Sequence, residues 1–593
     1  MANIMSLTKL RNNPSRSGFD LSERLAFTAN AGEVLGVGVW ECIPGDYYEF
    51  DINSFCRTMP VQTSAYTRIK EYYDFVFVPG QLLWNKYNNW VSQMGKNRQT
   101  ADTFTVASSL GDTAPNFTLF QLLNVYGAMK RSGTQTTAPA TDMMGVKYSH
   151  NMRKLLWYLG YPDLEWYYEN GYNDQAAVSE NEAKFDNVRL NPFPLLAYHK
   201  AYSDYLRNTQ WEESDPTTFN VNYITGSPGT TQMPISALSN LGHPMFQFHY
   251  ANWEKDLFMG LLPNSQFGNS ASVDLSSILN ESNGFNSFGL LTGVSQSNGT
   301  LGMTNRNLTV DGNPSWYMSV TDVDKLAVSL GLNRSNLESA FTVLALRKAE
   351  AEQKFREITQ SVHQDYQSQI KAHWDVNVSD AYSERSIWLG GLDGTVDISE
   401  VVNQNLADGN SADIQGKGVG ALNGKVKFNC EVHGYLVCIY HSKPRLDYSL
   451  RSGIPKLMSK TNVVDFAIPE FDKIGMDAIT RHEIVNDKRI LTDTLLGYAP
   501  RYYDYKTAID KVKGAFVVGG LQDWVAPLSE EYLSNYLKSQ SWSFPIMKVN
   551  PDILNSIFVM DAGKEDFTQE QFRNLVSFNI KSVRKLDRDG LPY

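Results

Sequence analysis

Cys430, His433 and Cys438 come nearest, by residue type, to a metal site in this chain. A tetrahedral zinc needs thiolates and imidazoles that converge on one point. On a continuous strand Cys430 and Cys438 share one face while His433 points to the other, so the segment reads as a structural strand. His363 and His373 would sit about 80° from a common helix face and form no pair. His482-Glu483 lacks the second histidine of a metalloprotease helix. Gly416-x-Gly418-x-Gly420 has no apolar strand before it and no helix opening on it, so it reads as loop rather than as a phosphate cradle. Asp587-x-Asp589-Gly590 is too short for a calcium loop, and no Gly-x-Ser-x-Gly elbow occurs. The sequence thus assigns no catalytic, cofactor-binding or metal-binding residue. One opening stays: among 64 acidic residues, two could converge as in a glycoside hydrolase.

The elements around these residues are mostly strands. Pro44-Gly45-Asp46 is turn chemistry, and Tyr48, Phe50 and Ile52 then alternate with Glu49, Asp51 and Asn53 as a half-buried strand does. Tyr73, Phe75 and Phe77 interleave with Val76 and Val78, so that strand is apolar on both faces and sandwiched between layers. Pro79 closes it. From Gly80, the residues Leu83, Tyr87, Trp90 and Met94 recur at helical spacing. Leu35, Val37 and Val39 alternate with glycines. Further strands are predicted over Val426–Val432, Tyr435–Tyr440, Ala515–Val518, Ile557–Met560 and Val576–Ile580, with a Gly-rich loop over 408–424.

Helices are predicted over Phe120–Met129, Met152–Leu159 and Leu195–Leu206. The longest is capped by Asn336 and carries Leu337, Phe341, Leu344, Phe355, Ile358, Val362, Tyr366, Ile370 and Trp374 at a 3.6-residue period. Between them, Gly, Ser and Asn fill about half of the positions from Pro263 to Trp316, a composition that suits an irregular outward projection. Strands cluster at both ends of the chain, with helices and loops between. An antiparallel barrel or sandwich split by insertions fits this better than alternating β/α units.

The chain has 593 residues and a formal charge of −11, which argues against a protein that condenses nucleic acid alone. Basic residues gather only at the ends, as Lys9, Arg11 and Arg16, and as Lys581, Arg584, Lys585 and Arg588. Four dispersed cysteines (Cys42, Cys56, Cys430 and Cys438) read as buried free thiols rather than a disulfide scaffold. No run reaches the length of a membrane span, and Met1–Asp20 lacks the pattern of a secretory signal. Aromatic residues make up 12% of the chain, with 31 tyrosines, which suits extensive contact surfaces and carbohydrate binding alike.

Several blocks, in order, resemble the major capsid protein of microviruses, small single-stranded DNA phages, and especially the gokushovirus-like and gut-associated branch. They are the 44–94 block, the Arg57, Pro60 and Arg68 loop, the helix around Leu346–His373 followed by Gly390-Gly391, and Glu431-Val432-His433-Gly434, where Val432 interrupts the family's Glu-His-Gly. Leu496-Gly497-Tyr498-Ala499-Pro500-Arg501-Tyr502-Tyr503-Asp504-Tyr505-Lys506 completes the set. The resemblance implies an eight-stranded antiparallel jelly roll of viral capsid type, mainly β with inserted helices and long insertion loops. It implies self-assembly of sixty copies into a T=1 icosahedral shell around a circular single-stranded DNA genome. Implied partners are a small basic DNA-binding protein, an internal scaffolding protein and a DNA pilot protein. A host surface receptor would be met through 208–320. The chain would be made in the host bacterial cytoplasm and end in the virion.

The expected organisation is an N-terminal arm over 1–30, a core with interface loops over 31–98 and 375–593, a helical and loop insertion over 99–207, a surface insertion over 208–320, and the long helix within 321–374. Candidate subunit-interface residues are Arg57, Pro60, Arg68, Tyr72, Tyr498, Arg501, Tyr502 and Tyr505, since Tyr, Trp and Arg dominate interface hot spots. The rival reading is a secreted β-rich carbohydrate-binding protein or glycoside hydrolase. An outer-membrane barrel fails for want of evenly spaced alternating segments.

Overall fold

The computed structural model describes residues 15–61, 66–92, 114–131, 148–172, 185–225, 244–271, 343–402, 414–485, 495–528, 547–558 and 567–588, apart from single positions within them, and short strands between 295 and 318. Asn336, Leu337, Phe341, Met94, Lys9 and Arg11 lie outside the described residues.

The long strands join one ten-stranded antiparallel sheet. Its strands are β1 (Ser17–Asp20), β2 (Glu23–Ala29), β3 (Glu33–Cys42), β4 (Tyr47–Thr58), β5 (Ile69–Pro79), β6 (His249–Tyr250), β7 (Ile387–Val402), β8 (Ile414–Asn429), β9 (Gly434–Pro444) and, after a separate hairpin of β10 (Met476–Thr480) with β11 (Leu495–Pro500), β12 (Phe572–Arg584). The order is β1-β12-β4-β8-β7-β5-β9-β3-β6, with β2 also paired to β12. Apart from the short β1 and β6, this leaves eight long strands, as the jelly-roll expectation requires.

β4 and β5 are separated in the sheet by β8 and β7, yet their side chains meet. Phe50 lies 5.4 Å from Phe75, and Trp40 of β3 lies 5.1 Å from Phe50 and 5.3 Å from Phe578 of β12. The sheet must therefore roll up so that its two halves face each other across an aromatic core. β2 and β3, joined by a tight turn at Asn30–Gly32, link the two halves, and Phe27 packs 5.0 Å from Tyr440.

The halves differ on their outer faces. β5 and β9 are buried almost throughout because helices α1 (Leu119–Arg131), α2 (Tyr148–Tyr158) and α3 (Phe193–Ala201) supply side chains such as Leu156 and Leu195 to the same core cluster. Burial on both faces is what their continuous apolar runs demand. β4 instead alternates buried and exposed residues.

Several expectations are corrected. The loop predicted over 408–424 is β8 from Ile414: its alternate glycines form the inward face, where Gly418 donates its N–H to Thr58 Oγ1 at 2.8 Å. With no side chain, a glycine hides the period-two signal. Ala515–Val518 is a helical turn rather than a strand. Within the predicted strand Ile557–Met560, Phe558 makes only an isolated bridge to Val61. Within the expected N-terminal arm, residues 17–29 form β1 and β2 along β12, and Phe27 and Ala29 are buried in the core.

The predicted long helix is two, Val343–Ser361 (α4) and Tyr366–Trp374 (α5). Thr359 Oγ1 and Ser361 Oγ donate to backbone carbonyls of the preceding turn, and Gln364 and Gln369 side chains donate to Thr359 O, satisfying the end of α4. The chain forms two compact units, Asn264–Gln364 with Ser368–Asp375 making up the second. Phe246, Phe248, Trp253 and Phe258 belong to the first, so the insertion that begins at 208 does not lie in one unit.

Candidate subunit-contact surface

After β9 the chain leaves the barrel for the turns of 454–474 and the β10–β11 hairpin. Asp477, on β10, gathers this region. It accepts from Lys456 Nζ at 2.7 Å and from the Tyr502 backbone N–H at 3.2 Å, and Arg501 Nε lies 3.8 Å away. Tyr502 is in the left-handed region (φ 58°, ψ 35°), a strained position for a residue with a Cβ, and the bond to Asp477 helps to hold it there. The turn lets Tyr503 enter the interior, where its hydroxyl donates to Glu483. Burial pushes the Glu483 carboxyl up, partly offset by that hydrogen bond.

Two more ion pairs fasten 456–474 to the turn after β11: Lys460 to Asp504, and Lys506 to Asp472 at 2.6 Å. Lys460 also lies 4.0 Å over the Tyr505 ring and Lys456 4.5 Å over Tyr503. Lys456, Lys460 and Asp472 of the loop are spent on these internal ties. Its apolar side chains are left outside: Leu457 is 64% exposed, Met458 73%, Val463 78%, Val464 57%, Phe466 51% and Ile474 59%. Single exposed apolar residues are ordinary, whereas here six fall within one stretch of the chain.

The candidate residues divide. Tyr505 is exposed, Tyr498 and Arg501 are half-buried, and Tyr502 is buried, so Tyr502 shapes the turn rather than offering a contact. Arg57 and Pro60 are exposed at the end of β4, with the Arg57 guanidinium 5.1 Å over Phe55 and Arg573 opposite in register. Arg68 is exposed at the start of β5. Tyr72 is half-buried, stacked on His441 at 4.8 Å and donating to Glu254 at 3.3 Å. Burial first, then the Glu254 charge, pushes its phenol up to about 12. The sequence reading missed the 454–474 cluster. Its signal was apolar residues without any strand or helix period, set between Pro455 and Pro469.

Among the described residues no group of three or more His, Cys, Asp or Glu is placed to hold a metal. The four cysteines are free and buried. Cys430 and Cys438 fall on either side of the break between β8 and β9, and Cys430 Sγ donates to the Val432 carbonyl. The Cys42 thiol is pushed up by its hydrogen bond with Cys430 and by burial.

The comparisons with known proteins place the sequence in a family. The profile of the capsid protein (F protein) family matches residues 9–128 and 159–590. The chain belongs to this phage capsid protein family. It is 23% identical to the capsid protein VP1 of Chlamydia phage 1, across 97% of this chain and 95% of that protein. It is 22% identical to the capsid protein VP1 of Bdellovibrio phage phiMH2K, across 98% and 95%. The microvirus resemblance read from the ordered motifs is therefore borne out. The protein is a major capsid protein, a structural component of the virion that self-assembles into a shell. No helix among the described residues is long and apolar enough to cross a membrane.

Proposed function

We propose that this capsid protein builds a small T=1 icosahedral shell of sixty copies around a circular single-stranded DNA phage genome. The family and the microvirus resemblance support the shell and its cargo. The observation that carries the contact chemistry is the run of exposed apolar residues within 454–474, tied from behind by Asp477, Asp504 and Lys506. Closed shells need heterologous contacts about fivefold and threefold axes and isologous ones at twofolds. The exposed residues Arg57, Pro60, Arg68 and Tyr505, with the half-buried Arg501, add the Arg and Tyr chemistry common at interface hot spots. With a net charge of −11 the chain needs a small basic protein to supply counter-charge to the genome. An internal scaffolding protein and a DNA pilot protein complete the set of partners, 208–320 meets the host receptor, and synthesis takes place in the host bacterial cytoplasm.

Negative-stain imaging of particles from infected cells, with nuclease digestion before and after disruption, tests this reading. Uniform isometric shells that protect a circular strand sensitive to single-strand nuclease are expected. Solitary subunits under every solution condition, or a protected duplex, would refute it.

A further inference from the structure

We infer that a cavity of about 360 Å³ at the end of the barrel binds a nucleotide through its phosphate, with Arg68 and Lys443 as the cations and Tyr66 as the face for the base. The cavity is lined by the segment entering β5, the end of β9, part of β7 and Glu254. That volume falls within the range of ordinary small-ligand sites.

Four cations, Arg68, Lys70, Lys443 and Arg445, face it against two carboxylates, Glu254 and Asp397. Two of the cations are engaged: Lys70 with Glu254 at 2.7 Å and Arg445 with Asp510 at 2.6 Å. Arg68 and Lys443 form no ion pair among the described residues. Lys443 is half-buried, its ammonium 5.5 Å from the centre of the Tyr72 ring. Burial pulls its pKa down; Lys548 and Lys70 pull the same way, and Asp74 and Glu254 oppose them. A half-buried ammonium among like charges is unfavourable unless an anion joins it. A guanidinium beside an ammonium gives forked donors and a point charge, the pairing that suits a phosphate.

Tyr66 adds a second feature. The residue is 65% exposed, yet its ring is braced by Trp524 at 5.3 Å and Phe516 at 6.2 Å, and its backbone N–H donates to the Trp524 carbonyl. A rigid exposed ring at the rim of a cationic cavity is the arrangement on which a base stacks. The phosphate could belong to a free nucleotide or to a phosphodiester within a single strand.

The test is anisotropy of a labelled five-thymidine oligonucleotide on the purified full chain, with thymidine monophosphate and inorganic phosphate as competitors. Arg68→Gln with Lys443→Met should weaken oligonucleotide binding at least tenfold. The slope of log K against log salt should become shallower by about 0.7, the change expected when one phosphate of a single strand is no longer neutralised. Tyr66→Leu should weaken the monophosphate several-fold and leave inorganic phosphate unaffected. The charge-matched Lys425→Gln with Lys427→Gln, on the outer face of β8, should bind as the parent does. Competition by the monophosphate assigns a free nucleotide, and its failure assigns a strand phosphodiester. Met keeps the aliphatic stem of Lys443, and the single Arg68→Gln at an exposed position serves if the double variant does not fold. Unchanged affinity in a folded variant, or inorganic phosphate displacing the oligonucleotide at concentrations at or below those at which the monophosphate displaces it, overturns the inference. Assembly plays no part in this assay, so its outcome is separate from that of the shell reading.

Discussion

Lys154 Nζ lies 2.5 Å from Glu33 Oε2, with both side chains buried, and 2.7 Å from Glu570 Oε1. The three residues join α2, the start of β3 and the entry to β12. One ammonium thus pins a helix of the insertion to both halves of the rolled sheet. Burial pushes both carboxyls up. At Glu570 the Lys154 charge, with the hydrogen bond that Lys154 donates, outweighs burial and holds the group below the usual range; at Glu33 burial prevails.

Replacing Lys154 by Met therefore leaves two buried carboxylates without a cation and should cost about 3–5 kcal/mol. The sign with pH follows from Glu570. Its folded-state pKa is depressed, so the stability it gains from Lys154 is present above the ordinary glutamate value and lost as pH falls through the folded value. The gap in melting temperature between parent and Lys154→Met should be widest near neutrality and narrow in acid. Adding Glu33→Gln to the variant should recover part of the loss. A gap that widens on acidification would show that the triad is not the source.

How much of this was legible in the chain depends on whether the deciding partner was near in sequence. Tyr48, Phe50 and Ile52 alternate with polar neighbours because one face of β4 is solvated, so period alone found the strand. The double-sided run from Tyr73 to Val78 found β5 for the opposite reason, burial under the helices. Lys154 reads as solvent charge on an amphipathic helix, because its partners Glu33 and Glu570 stand 121 and 416 residues away. Tyr498, Arg501 and Tyr505 are candidates from residue type and motif order. The loop before them was not, since Met458 and Val463 follow no period and are defined by what they fail to touch.

Gly418 tests the corrected reading of β8. A Cβ there would stand 2.4 Å from Thr58 Cγ2 on the neighbouring strand. Gly418→Val should destabilise the fold by about 1–3 kcal/mol through overpacking. Pairing it with Thr58→Ser should restore part of that, because serine lacks the Cγ2 and keeps the hydroxyl that accepts from the N–H of residue 418. If 408–424 were loop, the valine would be tolerated in a thermal melt and the second change would only harm.

The apolar loop makes the opposite prediction, loss of assembly without loss of fold. Together its six exposed residues and their apolar neighbours Ile454 and Phe471 present on the order of 900 Å², comparable with the roughly 800 Å² each partner buries in a standard interface. Met458→Asp with Val463→Asp should change subunit stability by no more than about 0.5 kcal/mol, since neither side chain is buried in the subunit. The same variant should abolish shells in sedimentation analysis. Normal shells from it would remove 454–474 from the contact surface.

Asp477 separates the presentation of that loop from its contact residues. Asp477→Asn keeps the size of the side chain but surrenders the charge that holds Lys456 and Arg501, while an amide oxygen can still accept from the Tyr502 N–H. The cost to the subunit should be about 1–2 kcal/mol, the scale of charge-assisted hydrogen bonds in a half-buried place. If the ties orient the loop, shell yield should fall far more than this loss of stability explains, and raised salt, which screens exposed pairs, should depress parent assembly in the same direction. Tyr505→Ala should lower shell yield with the subunit melt unchanged, because its ring is exposed and packs on Lys460 alone among the loop's cations. Were Asp477→Asn to assemble in proportion to its residual stability, the ion pairs would be ordinary surface bonds and the loop would owe its position to its turns.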